Sequence, residues 1–147
     1  MSEGFAGGCL CGKVRYECAG APQLSAHCHC VDCRKTSGTG HATHSVVPQN
    51  ALRVQGALKA YDHPADSGNI VTRNFCPDCG SPIYSTNSAM PGMAFIRASS
   101  LDDPEVAKPA MAVYASRAAS WDKVDASLPS FPLMPQGGPK QAIADAQ

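Results

Sequence analysis

Phe75-Cys76-Pro77-Asp78-Cys79-Gly80-Ser81-Pro82-Ile83-Tyr84 is the stretch from which the fold can be read. Two cysteines separated by two residues can bind one ion while backbone N–H groups turn toward the sulfurs. Gly80 relieves crowding after the second ligand. Ile70 to Phe75 leads in and Pro82 to Thr86 leads out, so the local unit is strand, knuckle, strand. One such pair is half of a tetrahedral thiolate site. The other half must come from elsewhere, and Cys9-Leu10-Cys11-Gly12, again followed by glycine, is the natural donor. Cys9, Cys11, Cys76 and Cys79 would close a structural zinc site joining the N-terminus to a strand pair in mid-chain, with no position left for substrate.

A second group, Cys28-His29-Cys30-Val31-Asp32-Cys33, offers three thiolates within six residues. Three protein ligands with an open fourth position is the catalytic zinc arrangement. Three thiolates give such a site a formal charge of about −1 and make the ion a weaker Lewis acid than three histidines would. Its softness favours sulfur, so a thiol is a better substrate than a carbonyl hydrated without help. His27 and His29 alternate with the cysteines and would point away from the metal in an extended segment; either could close the site if the chain turns. The segment Arg34 to Gly40 reads as a loop, and His41 and His44 are placed on the loop that follows the claw. Those two histidines are candidates for acid–base work or substrate hydrogen bonding, against a plain polar loop face. Arg34 and Lys35 could offset the claw's charge or hold a substrate carboxylate, or be solvated. Cys18 belongs to neither cluster and reads as buried filler beside Val14 and Tyr16.

The remaining chain reads as short strands: Lys13 to Cys18, Leu24 to His29, apolar character resuming at Val46-Val47-Pro48, then Leu52 to Val54 and Leu58 to Tyr61 around a hairpin-like Gln55-Gly56. After a loop from His63 to Gly68 come Ile70 to Phe75, Pro82 to Thr86, Met93 to Ala98 and Ala110 to Ala115, with a turn or short helix at Asp102-Asp103-Pro104-Glu105. Beyond Trp121 the prolines predict a chain extended over the surface, with a mobile tail from Gln136 to Gln147. The 147 residues suggest one domain, with 5–135 as its body and 136–147 as the tail. The charge balance, 12 basic against 12 acidic residues, lacks the basic excess of a nucleic-acid binder. No apolar run is long enough for a membrane span, and the first residues lack a signal peptide's basic segment and apolar core. The expected setting is therefore the reducing cytoplasm, where close cysteines are metal ligands rather than the disulfides of a secreted domain.

The order Cys-Leu-Cys-Gly, Cys-His-Cys-Val-Asp-Cys-Arg-Lys-Thr-Ser-Gly, Phe-Cys-Pro-Asp-Cys-Gly-Ser-Pro-Ile-Tyr and Ser-Leu-Asp-Asp-Pro resembles the glutathione-dependent formaldehyde-activating enzymes, relatives of centromere protein V. The resemblance covers about residues 5 to 135. It implies a mainly β fold of the β-tent type, built of short antiparallel strands organised around zinc. It also implies two zinc ions per chain, structural at Cys9, Cys11, Cys76 and Cys79 and catalytic at Cys28, Cys30 and Cys33. The implied activity is a carbon–sulfur lyase reaction on S-hydroxymethylglutathione, or on a related thiol adduct, since no motif reads as a glutathione clamp. A zinc hydrolase of a small electrophile and a non-catalytic zinc module that binds a partner are the alternatives.

Overall fold

The computed structural model describes residues 4–138 together with Gln141 and Ala144. Its strands, in chain order, are β1 Phe5–Gly8, β2 Arg15–Cys18, β3 Leu24–Cys28, β4 Ala42–Pro48, β5 Leu52–Gln55, β6 Lys59–Pro64, β7 Ile70–Phe75, β8 Pro82–Asn87, β9 Met93–Arg97 and β10 Pro109–Val113. A small sheet runs β1-β2-β5, and a large one runs β10-β3-β4-β9-β8-β7-β6. The helical content is one short α1, Val31–Lys35, and single turns of 3-10 helix. Among the described residues no helix is long and apolar enough to cross a membrane. The protein is thus mainly β, but it is mixed rather than wholly antiparallel, because β10 lies parallel to β3.

Period-two patterning sets the faces. In β2, Arg15 and Glu17 face solvent while Tyr16 and Cys18 are buried, and in β9 Ala94 and Ile96 are fully covered. Val14, Tyr16, Cys18, Val47, Ile83, Ala94 and Ile96 make one core cluster between the small sheet and the centre of the large one. Each large apolar side chain there contributes about 1.5–3 kcal/mol. A second cluster, including Leu24, Val46, Met90, Met111 and Val113, surrounds Cys28 and Cys33. Two hydroxyl pairs are satisfied inside: Tyr16 hydroxyl with Ser100 Oγ at 2.7 Å, and Ser25 with Ser45 at 2.8 Å between β3 and β4.

Strand β1 depends on close approach. A Cβ on Gly7 would overlap the Tyr16 hydroxyl and the Ser100 carbonyl, neither of which is a loose side-chain end. Gly7→Ala is therefore expected to cost about 1–3 kcal/mol through overpacking, read as a lowered Tm in a thermal melt. An unchanged Tm would mean that β1 can shift without cost.

Several expectations need correction. Phe-Ala-Gly-Gly carries too few large side chains to read as a strand, yet it is β1, paired with β2 from Phe5↔Cys18 to Gly8↔Arg15. Gln55-Gly56 is not a hairpin turn: β5 pairs with β2 and β6 with β7, in different sheets. Gly56, at φ 102°, is pressed against the Lys13 carbonyl, where the chain leaves one sheet for the other. The expected Arg34–Gly40 loop begins as the end of α1, because Cys30 caps a helical turn. His44 lies within β4 rather than on a loop. β6 continues through His63 to Pro64 as an edge strand, which tolerates proline. After Trp121 the chain is extended but pinned: Ser130 bridges Ala112 in parallel, and the Phe131 N–H donates to the Ala112 carbonyl at 2.9 Å. That pairing covers the outer edge of β10. Most of the expected tail, 136–147, lies outside the described residues.

Candidate metal and active site

Cys9 and Cys11 sit in the turn between β1 and β2; Cys76 and Cys79 sit between β7 and β8. The fold brings all four sulfurs within 4.8 Å of one another, with Cys9 to Cys11 at 3.5 Å and Cys11 to Cys76 at 3.7 Å. Zn–S bonds near 2.3 Å place tetrahedral sulfurs about 3.8 Å apart, so the donor set fits zinc. The shell is built from backbone and serine. The Val14 N–H donates to Cys9 Sγ at 3.2 Å, and Ser81 Oγ lies 3.2 Å from Cys79 Sγ while accepting from the Leu10 N–H at 3.0 Å. The Ser81 hydroxyl, then the Ser81 and Cys11 N–H groups, pull the Cys79 thiol down to about 5. Gly80, at φ 78°, makes the turn that brings its N–H onto the Cys76 carbonyl. Two turns from two different sheets meet at this point, and all eight cysteines are free.

The claw is assembled by the end of β3 and the start of α1. Cys28 ends the strand, Cys30 is the N-cap whose sulfur accepts from the Cys33 N–H at 3.3 Å, and Cys33 is buried within the helix. Their sulfurs also fall within 4.8 Å of one another. Three thiolates this close repel, so without a cation they must share protons. Sharing with Cys28, then Cys33, holds the Cys30 thiol far below its usual range, while Cys28 is pushed far up, first by Cys30 and then by Cys33. A divalent cation removes that conflict, and three soft donors suit zinc.

His44 reaches the claw from β4, with Nε2 3.5 Å from Cys33 Sγ. Burial, then the Arg97 charge, pushes its pKa down to about 3, so the ring is neutral. Its Nδ1 is buried without a partner. An orphaned buried N–H is rarer than an orphaned acceptor, so the proton belongs on Nε2, facing the sulfur. Arg97, 5% exposed, donates to the Thr36 carbonyl at 2.9 Å and to Thr36 Oγ1 at 3.1 Å just beyond α1. Burial lowers the Arg97 pKa from its usual value, and the nearby Cys33 sulfur opposes that shift.

Cys28, Cys30 and Cys33 open onto a cavity of about 860 Å³. Its walls are largely apolar, with Val46, Met90, Phe95, Met111 and Met134 among them, and Gly137 and Gly138 at its border. Two arginines line it. Arg117 is held by Asp66 at 2.8 Å and stacks on Tyr114, leaving Arg73 as the lining cation without an acidic partner among the described residues. Tyr114 takes a left-handed conformation, φ 55°, uncommon for a bulky side chain.

Of the residues singled out in the sequence, the structure joins Cys28, Cys30, Cys33 and His44 at this cavity. Arg34 and Lys35 close the last turn of α1 and do not line it. His27, His29 and His41 are turned elsewhere: His27 Nδ1 is 2.8 Å from Thr43 Oγ1, and His29 and His41 approach Asp122. Neither His27 nor His29 joins the claw's ligand group. Arg73, Arg97 and Tyr114 were missed. They stand alone among strand residues far from the cysteines in sequence, and no spacing marks them.

The family profile of the glutathione-dependent formaldehyde-activating enzymes matches residues 4–117. A crystal structure of a Rhodobacter sphaeroides protein, solved as a structural-genomics target, shares the fold at a TM-score of 0.53 and 24% identity, over 66% of this chain and 87% of that one. Among curated proteins no sequence matches this chain. The match spans both hairpin turns, the claw and every strand of the two sheets, so the chain belongs to the glutathione-dependent formaldehyde-activating enzyme family.

Proposed function

We propose that the protein is a zinc-dependent carbon–sulfur lyase that makes and breaks the bond between a thiol and formaldehyde, its substrate S-hydroxymethylglutathione or a related thiol adduct. The observation that carries this reading is the three-sulfur claw at the wall of a large, mostly apolar cavity in a chain of this family. Zinc held by Cys28, Cys30 and Cys33 supplies a Lewis acid that lowers the pKa of a thiol and fixes its sulfur. Cys9, Cys11, Cys76 and Cys79 would hold the structural ion. In the forming direction the thiol sulfur donates a pair to the aldehyde carbon, the C=O π pair moves onto oxygen, and the thiol proton ends on that oxygen. Cleavage reverses each transfer, and nothing is oxidised or reduced.

The residues of this chain position and shield. The Cys33 N–H fixes Cys30 Sγ, and the His44 N–H facing Cys33 Sγ tempers that sulfur's electron density, as outer-shell partners do. His44 is thus a positioning residue. Phe95, Met90 and Met111 exclude water, and Arg73 is available for one substrate anion. Glutathione carries two carboxylates, so an adduct with an apolar body and a single anionic group fits these walls better. The close free thiols would require a reducing compartment such as the cytoplasm.

The test follows exchange between formaldehyde, thiol and adduct by magnetic resonance at limiting enzyme. Two thiols are compared: glutathione and a monoanionic thiol with an apolar chain. Acceleration over the uncatalysed rate is expected, greater for the apolar thiol. No acceleration with either thiol at high protein concentration overturns the lyase reading.

A further inference from the structure

We infer that His29, His41 and Asp122 form a further metal site, distinct from both cysteine clusters, that takes a borderline divalent cation such as zinc. Three separate elements supply it. His29 follows the end of β3, His41 immediately precedes β4, and Asp122 comes from the segment beyond β10. One ligand atom from each lies within 4.8 Å of the others. His29 Nδ1 is 3.4 Å from Asp122 Oδ2, and His41 Nδ1 is 2.7 Å from the same oxygen. Zinc bonds of about 2.0–2.2 Å to nitrogen and oxygen place tetrahedral donors about 3.4 Å apart. The first distance already matches, and the second needs to open by about 0.7 Å, from 2.7 Å.

An independent observation separates this cluster from a simple hydrogen-bonded network. His29 is 2% exposed, yet its Nδ1 makes no hydrogen bond, although the Asp122 carboxylate is its neighbour. Buried ring nitrogens in a settled network are paired. Here one carboxylate oxygen faces two imidazoles and bonds to only one of them. The two rings lie 4.8 Å apart at 37°, with His27 edge-on to His41 at 5.0 Å. A cation between His29, His41 and Asp122 would use the idle lone pair. Gly40 makes room for the arrangement, since any Cβ there would collide with the Asp122 carboxylate.

The site and the claw draw on alternate residues of the chain through and just beyond β3. Ala26, Cys28 and Cys30 line the cavity, whereas His27 and His29 do not. Two imidazoles and a carboxylate contain no sulfur, so this site suits zinc, cobalt or nickel rather than an ion that demands thiolates. Because His29 stands between two claw cysteines, an ion held there would anchor the claw's backbone from behind. It would also tie down the segment carrying Asp122. At 27% and 15% side-chain exposure, His41 and Asp122 leave an approach from solvent.

The test counts metal on untagged protein dialysed in zinc-buffered solution, comparing the natural chain with His41→Ala and Asp122→Asn. The natural chain is expected to hold one more ion than either variant. Incomplete filling of the cysteine sites lowers all three counts alike and leaves that difference intact. Cobalt substitution gives a second readout: the additional equivalent should add weak visible bands without the thiolate-to-metal charge transfer of the cysteine sites. Equal counts in all three proteins, or a last equivalent that carries thiolate charge transfer, overturn the inference. Circular dichroism checks folding, and the cobalt signature of the natural chain decides the matter even if a variant fails to fold.

Discussion

Cys76→Ser should unfold the protein or lower its Tm sharply. The four-sulfur site is where the turn of the small sheet meets the β7–β8 turn of the large one. Between the two turns themselves the other polar links are slight: the Leu10 N–H on Ser81 Oγ and an exposed Lys13–Asp78 pair at 3.4 Å. Exposed ion pairs contribute about 0–1 kcal/mol. A structural zinc in small domains contributes on the order of 10 kcal/mol of folding free energy, similar to the whole stability of a typical domain, roughly 5–15 kcal/mol. Cys76 is fully buried, so serine there also leaves a hydroxyl without its metal partner. The measurement is a thermal melt paired with a zinc count. A folded Cys76→Ser protein with an unchanged Tm would remove the structural role from this cluster.

Cys33→Ser should do the reverse, sparing the fold and abolishing turnover. The claw spans only Cys28 to Cys33, so an ion there constrains little chain, and the second core cluster around it retains its apolar members. The expected stability loss is about 0.5–3 kcal/mol, ordinary for a buried substitution. The rate should fall to the uncatalysed level, because two thiolates no longer hold the ion and the His44 N–H loses its sulfur partner. Melts, zinc counts and the exchange assay on both variants separate the two sites. If Cys33→Ser unfolds the domain while Cys76→Ser stays folded and inactive, the structural and catalytic roles are reversed.

The two thiolate clusters were legible in the chain because metal ligands of one type at short spacing leave a local mark. Cys76-Pro77-Asp78-Cys79 and Cys28-His29-Cys30-Val31-Asp32-Cys33 make turns whose geometry is set within a few residues. Strands with a clear pattern were legible for the same reason, since alternation in β2 or the apolar run of β9 needs no partner to be seen. Partner choice is a different matter. That β5 joins β2 rather than β6, or that β10 runs parallel to β3, depends on which buried faces find each other across the chain, and no local pattern records it. The glycines of β1 have meaning only against Tyr16 and Ser100. His44 looked like a loop residue until β4 placed it beside Cys33. Arg73 and Arg97 became part of the cavity and the claw through strands far from either cysteine group. The meeting of His29 and His41 with Asp122 spans 81 residues from His41. By itself the sequence determined which cysteines could share a metal ion, because close cysteine spacing is a local mark. Tertiary structure alone decided what surrounds them, because burial, charge and shape arise from segments that meet only on folding.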